Sequence, residues 1–73
     1  MSGGYREYRY WSPMMGKEAA RISVSDGHNQ EFFMLIPADE RGFAYRERRA
    51  EAVEAILKAI EDGQEPGEVA AAR

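Results

Sequence analysis

The stretch EFFMLI, residues 31 to 36, constrains the fold of this chain more than any other part of its sequence. Its apolar side chains alternate between the two faces of an extended strand, with Phe32, Met34 and Ile36 on one side and Phe33 and Leu35 on the other. Pro37 ends the strand, because proline has no N–H to donate to a strand ladder. Both faces need a cover, since each large side chain left in water forfeits about 1.5–3 kcal/mol.

Size and composition limit how those faces can be covered. A chain of 73 residues forms one domain and buries only roughly 60% of its unfolded surface. It has no cysteine, which excludes disulfides and thiolate metal sites. It has one histidine and no acidic cluster at ligand spacing, so no structural metal is expected. Oligomerisation or a bound partner is therefore the expected supplement to the core.

Charge and hydropathy argue against several classes of function. A net charge of −3 and an isoelectric point near 5.1 disfavour a general nucleic-acid binder, which usually carries a basic surface. No apolar run approaches the ~20 residues of a membrane span. The N-terminal MSGGYREYRYW lacks the apolar core of a signal peptide. We therefore expect a cytoplasmic protein that contacts no membrane and needs no cofactor.

Two further strands are predicted ahead of EFFMLI. Residues 5 to 11, YREYRYW, are rich in aromatic residues, which favour strands, and they lie between the breakers MSGG and SPMMG. Alternation places Arg6, Tyr8 and Tyr10 on one face of this strand and Tyr5, Glu7, Arg9 and Trp11 on the other. Residues 20 to 25, ARISVS, alternate Ile22 and Val24 with polar residues, which is the period of a half-buried strand.

The connection between the second and third strands contains DGHN and decides their register. A two-residue Asp-Gly hairpin would place Ile22 opposite Glu31. Pairing Val24 with Phe32 instead brings the two apolar faces together, and register follows the buried face. Ile22 then lies opposite Met34. The sequence therefore predicts a longer loop, of about 3 to 5 residues.

A helix over about residues 44 to 62 follows the third strand. Its predicted core positions recur at the spacing of one helical face: Ala50, Val53, Leu57 and Ile60, with Ile56 beside them. Gly63 suits the left-handed residue just past a helix end. Residues 64 to 73 have Pro and Gly early and no aromatic residue, which is typical of a loose tail.

The predicted fold is therefore α+β, with the order β-β-β-α in a single domain of residues 1 to 63. A three-stranded antiparallel sheet carries one C-terminal helix on one face. One helix cannot cover the other face, to which Phe33 and Leu35 point. We expect a homodimer with Phe33 and Leu35 in its interface.

The sequence contains no catalytic signature. Asp26 and His28 lie near Ser23 and Ser25, but a catalytic triad is defined by geometry and not by sequence proximity. The residues of DGHN favour turns for local backbone reasons. No nucleophile with a base and an orienting group can be assembled, so no enzymatic activity is expected.

The arginines early in the helix are unusual. Arg46, Arg48 and Arg49 fall in its first turns, where the positive end of the helix dipole disfavours cations. Three interpretations remain open at this point: pairing with strand acids such as Glu7 or Glu31, contact with an acidic partner or a phosphate, or no specific role.

The aromatic first strand favours a binding function. Tyr, Trp and Arg are enriched at the energetic centres of protein interfaces. Aromatic residues interleaved with arginine can also stack single-stranded bases, but the RNA recognition motif needs a β-α-β-β-α-β order that is missing here. We therefore favour a protein partner over nucleic acid. The predicted partner-binding residues are Tyr8, Arg9, Tyr10, Trp11, Arg46, Arg48 and Arg49.

The chain resembles the small proteins encoded by phages and mobile elements, including the anti-CRISPR inhibitors. The resemblance lies in its length, acidity, lack of cysteine and the β-β-β-α order of YREYRYW, ARISVS, EFFMLI and AYRERRAEAVEAILKAIEDG. Those inhibitors share no common motif, so the resemblance assigns no residue roles. It implies stoichiometric inhibition of a host protein complex such as a CRISPR effector. The predicted function is a non-enzymatic protein-interaction module, with a nucleic-acid-binding protein as the alternative.

Overall fold

A computed structural model describes residues 4 to 70 and shows a small α+β fold. Its elements are β1 (Tyr5–Ser12), β2 (Lys17–Ser25), β3 (Glu31–Pro37), α1 (Phe43–Glu61) and β4 (Gly67–Glu68). The strands form one sheet in the order β1-β2-β3-β4, with antiparallel β1–β2 and β2–β3 pairs and a parallel β3–β4 pair. The helix packs on one face of this sheet.

The β2–β3 register agrees with the prediction from the buried face. Val24 lies opposite Phe32, and Ile22 lies opposite Met34. The five intervening residues, 26 to 30, form a loop in which the Asp26 carboxylate accepts a hydrogen bond from the His28 backbone N–H at 2.8 Å. The longer loop and the apolar register are both confirmed.

The buried face of the helix differs from the prediction. Its buried residues are Tyr45, Ala52, Ile56 and Ala59, which pack on sheet residues that include Ala20, Ile22, Phe32, Met34 and Ile36. The predicted core residue Leu57 is 52% exposed. It follows the fully buried Ile56 by one residue, a step of about 100° round the helix. The two alanines provide the reason, because their small side chains let the helix approach the sheet closely.

Of the other predicted core residues, Ala50 is exposed, and Val53 and Ile60 are only partly buried and lie beside the core. The latter two are on the flank of the helix that faces β1, as is Leu57. The helix end matches its prediction. Gly63 has φ 77°, its N–H donates to the Ile60 carbonyl at 3.1 Å, and the Gln64 N–H donates to the Ala59 carbonyl at 3.0 Å.

The three predicted antiparallel strands are present, and a fourth, short strand, β4, is added to them within the segment predicted as a loose tail. The Val69 backbone N–H donates to the Phe33 carbonyl at 2.8 Å, and the Val69 side chain is buried against the core. Residues 67 to 69 are therefore packed on the sheet. The two ends of the predicted domain and tail, residues 1 to 3 and 71 to 73, lie outside the described residues.

The helix covers the sheet unevenly. It lies over β2 and β3 and does not approach the backbone of β1 closely within residues 4 to 70, where the side chains of Tyr45 and Arg49 extend to β1. Among residues 4 to 70, two surfaces of the sheet consequently have no other element packed on them: the helix side of β1, and the opposite face. In the described part of the chain, α1 is too polar to cross a membrane.

Candidate functional site

The helix side of β1 forms a shelf beside the helix. Its β1 residues are Tyr5, Glu7, Arg9 and Trp11, which the register sets beside the helix-side residues of β2. Tyr45 and Arg49 of α1 extend over it. We call these six residues the β1 shelf.

Glu7 is the centre of the β1 shelf. Its carboxylate accepts hydrogen bonds from the Tyr45 hydroxyl, from the Tyr5 hydroxyl at 3.0 Å and from the Arg49 guanidinium at 3.4 Å. Burial opposes ionisation of this carboxyl, but the two phenol hydrogen bonds and the Arg49 charge outweigh it and lower the pKa of Glu7. Glu7 is therefore a carboxylate held in its charged form.

The two phenols respond in the opposite direction. Burial, the hydrogen bond to Glu7 and the negative charge of Glu7 raise the pKa of Tyr45 to about 12. Partial burial and the same carboxylate raise the pKa of Tyr5. Both phenols therefore act as hydrogen-bond donors at neutral pH.

Tyr45 also holds two guanidinium groups. The Arg9 Cζ lies 4.2 Å from the centroid of the Tyr45 ring, and the Arg49 Cζ lies 5.7 Å from it. Both distances are within the range of cation–π attraction. Two cations thus surround the single Glu7 carboxylate, which leaves the centre of the shelf with a net positive charge.

The ends of the shelf are aromatic and exposed. Trp11 is 61% exposed and Tyr5 is 49% exposed, although both are large side chains on the helix side of the sheet. The uneven position of the helix is the reason, because α1 covers β2 and β3 and not β1.

The structure divides the predicted partner-binding residues. Arg9, Trp11 and Arg49 come together on the β1 shelf. Arg46 is exposed one turn before Arg49, on the flank of the helix that faces β1. Arg48 lies on the other flank and pairs with the Glu40 carboxylate at 2.9 Å.

Tyr8 and Tyr10 lie on the opposite face of the sheet, so the predicted segment from Tyr8 to Trp11 does not form one surface. The alternative in which the helix arginines pair with strand acids applies to Arg49, which binds Glu7 at 3.4 Å. Glu31 pairs instead with Arg21, also at 3.4 Å.

Sequence reasoning missed Tyr45 as the centre of this cluster. A signal was present, since Tyr45 precedes Arg49 by four residues and therefore shares its helical face. Its partner Glu7 is 38 residues away in sequence, and only the folded sheet brings the two together.

The second uncovered surface is the face of the sheet away from the helix, which we call the open face. It carries Arg6, Tyr8 and Tyr10 of β1, Ala19, Arg21 and Ser23 of β2, Phe33, Leu35 and Pro37 of β3, and Glu68 of β4. The predicted dimer residues Phe33 and Leu35 are adjacent on this face and half-buried. The Arg21 guanidinium stacks on the Phe33 ring at 4.2 Å.

Neither a metal site nor a small-molecule pocket stands out between residues 4 and 70. No group of three His, Cys, Asp or Glu side chains in this range is arranged to hold a metal ion. A shallow cavity of about 270 Å³ between β3 and α1 is lined by residues 34 to 37, Arg48, Glu51 and Ala52. A second cavity of about 340 Å³ is lined by Gly4, Arg6, Ser25, Asn29 and Glu31. Ligand sites usually measure ~300–1,000 Å³ and are lined mainly by apolar side chains, whereas the first cavity is smaller and the second is lined mainly by polar residues.

Comparison of the chain with known protein families, curated proteins and solved structures gives no match. The fold and the two uncovered surfaces define a small α+β protein whose exposed sheet is available for binding.

Proposed function

We propose that this protein is a non-enzymatic interaction module that binds a protein partner through the β1 shelf. One observation supports this most strongly. The helix leaves β1 uncovered, so Trp11 is 61% exposed on the side of the sheet that also carries the fixed Arg9 guanidinium. Trp and Arg are the side chains most enriched among residues that dominate binding energies.

The fixed arginines favour an acidic partner. Arg9 is exposed while its guanidinium rests on the Tyr45 ring, so little side-chain freedom is lost when it binds a carboxylate. Arginine forms planar, bidentate pairs with carboxylates. The positive centre of the shelf, in a chain with a net charge of −3, also orients an acidic surface towards this side.

The backbone of β1 offers a second kind of contact. The Ser25 N–H donates to the Gly4 carbonyl at 2.8 Å, and antiparallel bonds alternate along a strand. Arg6 and every second residue after it therefore bond to β2. The shelf residues between them direct their N–H and C=O groups to the outer edge of β1, where no strand of the described chain lies. An extended segment of a partner can pair there.

The chemistry of the shelf supports binding more than catalysis. Groups with shifted pKa values are where an active site is first sought, and here they are Glu7, Tyr5 and Tyr45. Their polar atoms bond to one another, and Glu7 is kept charged and surrounded by donors. This arrangement holds arginine side chains in place and leaves none of the three groups ready to take a proton from a substrate.

In its specific form, the proposal is stoichiometric inhibition of a host protein complex, such as a CRISPR effector, in the cytoplasm. A small acidic protein with an exposed arginine and tryptophan surface can occupy a functional surface of such a complex without catalysing a reaction. The specific form depends on the resemblance in size and composition, and the general form depends on the β1 shelf.

Affinity capture with matched variants tests the general form. We expect wild-type protein to retain a partner that the Arg9→Ala/Trp11→Ala variant binds at least about tenfold more weakly, or about 1.4 kcal/mol. The control is Arg41→Ala/Met14→Ala, which removes an arginine and a large apolar side chain from exposed loops outside the shelf, where Met14 is 98% exposed. Circular dichroism checks that both variants fold. Equal retention of the same proteins by all three would contradict the proposal.

A nucleic-acid partner is the second candidate, because exposed Tyr5 and Trp11 lie on either side of Glu7 and Arg9 along one side of a strand. Such surfaces stack single-stranded bases. Salt dependence separates the two candidates. Binding to phosphates weakens log-linearly with salt, whereas an aromatic-anchored protein contact weakens much less. A steep salt slope that disappears in Arg9→Ala would favour nucleic acid.

A further inference from the structure

We infer that the open face binds a second copy of this chain, with a two-fold axis parallel to the strands and between β2 and β3. This inference concerns the face opposite the β1 shelf and does not depend on the proposed function. It rests on how the side chains of the open face are ordered in rows across the strands.

The charged ends of one row are complementary. The register sets Arg6, Ser23, Phe33 and Glu68 side by side across the four strands. Arg6 and Glu68 are both exposed, with the cation at the β1 edge and the anion at the β4 edge. Rotation by 180° about an axis parallel to the strands sets each row of one copy against the same row of the other copy. The order of the strands is reversed, so β1 faces β4 and β2 faces β3. Arg6 then faces Glu68 of the partner subunit, and the pair occurs twice.

The smaller residues of β2 allow the same arrangement. In the first row Phe33 faces Ser23 of the partner subunit, and in the row that holds Tyr10 Pro37 faces Ala19 of the partner subunit. Ser23 and Ala19 are already only 1% and 0% exposed beneath their neighbours, so the half-buried Phe33 and Pro37 supply the apolar contact surface of these rows.

The central row also fits this arrangement. It contains Tyr8, Arg21 and Leu35, and the reversal places Leu35 on Arg21 of the partner subunit. The Arg21 guanidinium lies 4.2 Å from the centroid of the Phe33 ring and 3.4 Å from the Glu31 carboxylate, so it is held to one side of Leu35. Its aliphatic stem is left for apolar contact.

A second copy is favoured over other occupants because the face is complementary to itself. An isologous interface requires that each exposed residue meet a suitable residue of the same surface, and the contacts of Arg6 with Glu68 and of Leu35 with Arg21 satisfy that condition. Four strands about 4.8 Å apart, with ~3.4 Å per residue along them, form a face on the order of 500 Å². Stable interfaces bury ~800 Å² per partner, so the dimer should dissociate at micromolar concentrations.

Sedimentation equilibrium of the full chain tests the interface. We expect the mass to rise from 8.3 kDa towards twice that value between ~1 and ~200 µM. Leu35→Glu should keep the chain monomeric throughout. Leu57→Glu is the matched control, because it puts the same charge on an exposed leucine of the helix and should dimerise like the wild type. A wild-type mass of 8.3 kDa at every concentration would overturn the inference.

Exchanging the charges of Arg6 and Glu68 tests the proposed position of the two-fold axis without changing an apolar residue of the sheet. Arg6→Glu and Glu68→Arg should each weaken the dimer by at least about tenfold, because each places like charges opposite one another. Combining them restores both pairs with reversed sign, and the dissociation constant should return to within about threefold of wild type. If the combined variant is as weak as the single variants or weaker, the proposed pairing of rows is wrong.

Discussion

At the scale of single residues, Tyr45 organises the charged side of the molecule. It is 3% exposed, donates to Glu7, and supports the guanidinium groups of Arg9 and Arg49 on its ring. Because Glu7 is ionised, this bond is charge-assisted and stronger than a bond between neutral groups. One phenol therefore fixes the positions of two arginines and ties the helix to the edge strand.

Replacing Tyr45 by Phe tests this role. The ring remains to hold the guanidiniums, but the partly buried Glu7 loses a donor, so we expect the free energy of unfolding to fall by about 1–3 kcal/mol. Urea denaturation followed by circular dichroism measures it. The control is Tyr8→Phe, which removes a hydroxyl from the half-exposed open face and should change stability by less than about 0.5 kcal/mol. Equal effects in the two variants would show that the Tyr45–Glu7 bond adds nothing.

The pH dependence of stability follows from the same cluster. The pKa of Tyr45 is raised from 10.0 to about 12 on folding, so its contribution is complete below pH 10 and is lost as the pH rises through about 12. The pKa of Glu7 is lowered from 4.5, so its contribution is present above that pH and is lost as the pH falls through the lowered pKa.

We therefore expect the midpoint of urea denaturation to be highest between these limits and to fall on both sides. In Tyr45→Phe the fall between pH 10 and 12 should be shallower than in wild type, because this titrating group is gone. An equally steep fall of the urea midpoint between pH 10 and 12 in the variant would contradict the assignment of this loss to Tyr45.

At the scale of elements, the sequence predicted some positions well for physical reasons. The hairpin register was predictable because Ile22, Val24 and the residues opposite them leave one arrangement with a common apolar face. Gly63 was recognisable as a helix end because few other residues accept its φ of 77°. The alternation of β1 placed Arg9 and Trp11 on one side together.

Other positions were not predictable from local pattern. The rotation of α1 was missed because Leu57 is more apolar than Ala52 or Ala59, yet the alanines let the helix lie close to the sheet. The strand β4 was missed because Gly67 and Glu68 have low strand propensity and pair only through contact with distant Phe33. The Tyr45–Glu7 bond needed both the helix position and the sheet, so no local pattern contained it.

Neighbouring substitutions in the helix test its rotation. Ile56→Ala removes a side chain that is fully buried, and it should lower the free energy of unfolding by about 2–5 kcal/mol. Leu57→Ala makes a similar change at the next residue, where the side chain is 52% exposed, and should cost less than about 1 kcal/mol. Thermal denaturation of the two variants gives the comparison. A larger loss for Leu57→Ala would mean that the helix is rotated towards the face predicted from the sequence.

At the scale of the whole molecule, the two uncovered surfaces point in opposite directions. The open face carries the self-complementary rows, and the β1 shelf carries the exposed Trp11 with its fixed arginines. A dimer through the open face would leave two shelves outward and accessible. Two linked binding sites raise the apparent affinity for a partner that presents repeated surfaces. Assembly and partner binding are thus compatible.

The most direct test of the β1 shelf is the fluorescence of Trp11, which is the only tryptophan in the chain. Emission and acrylamide quenching are measured while wild-type protein is titrated with the protein retained in the affinity capture, and separately with a single-stranded oligothymidine, at physiological salt. We predict a blue shift and reduced quenching with the captured protein and no change with the oligonucleotide. Unchanged Trp11 emission with the captured protein, or a shift with the oligonucleotide alone, would contradict the account.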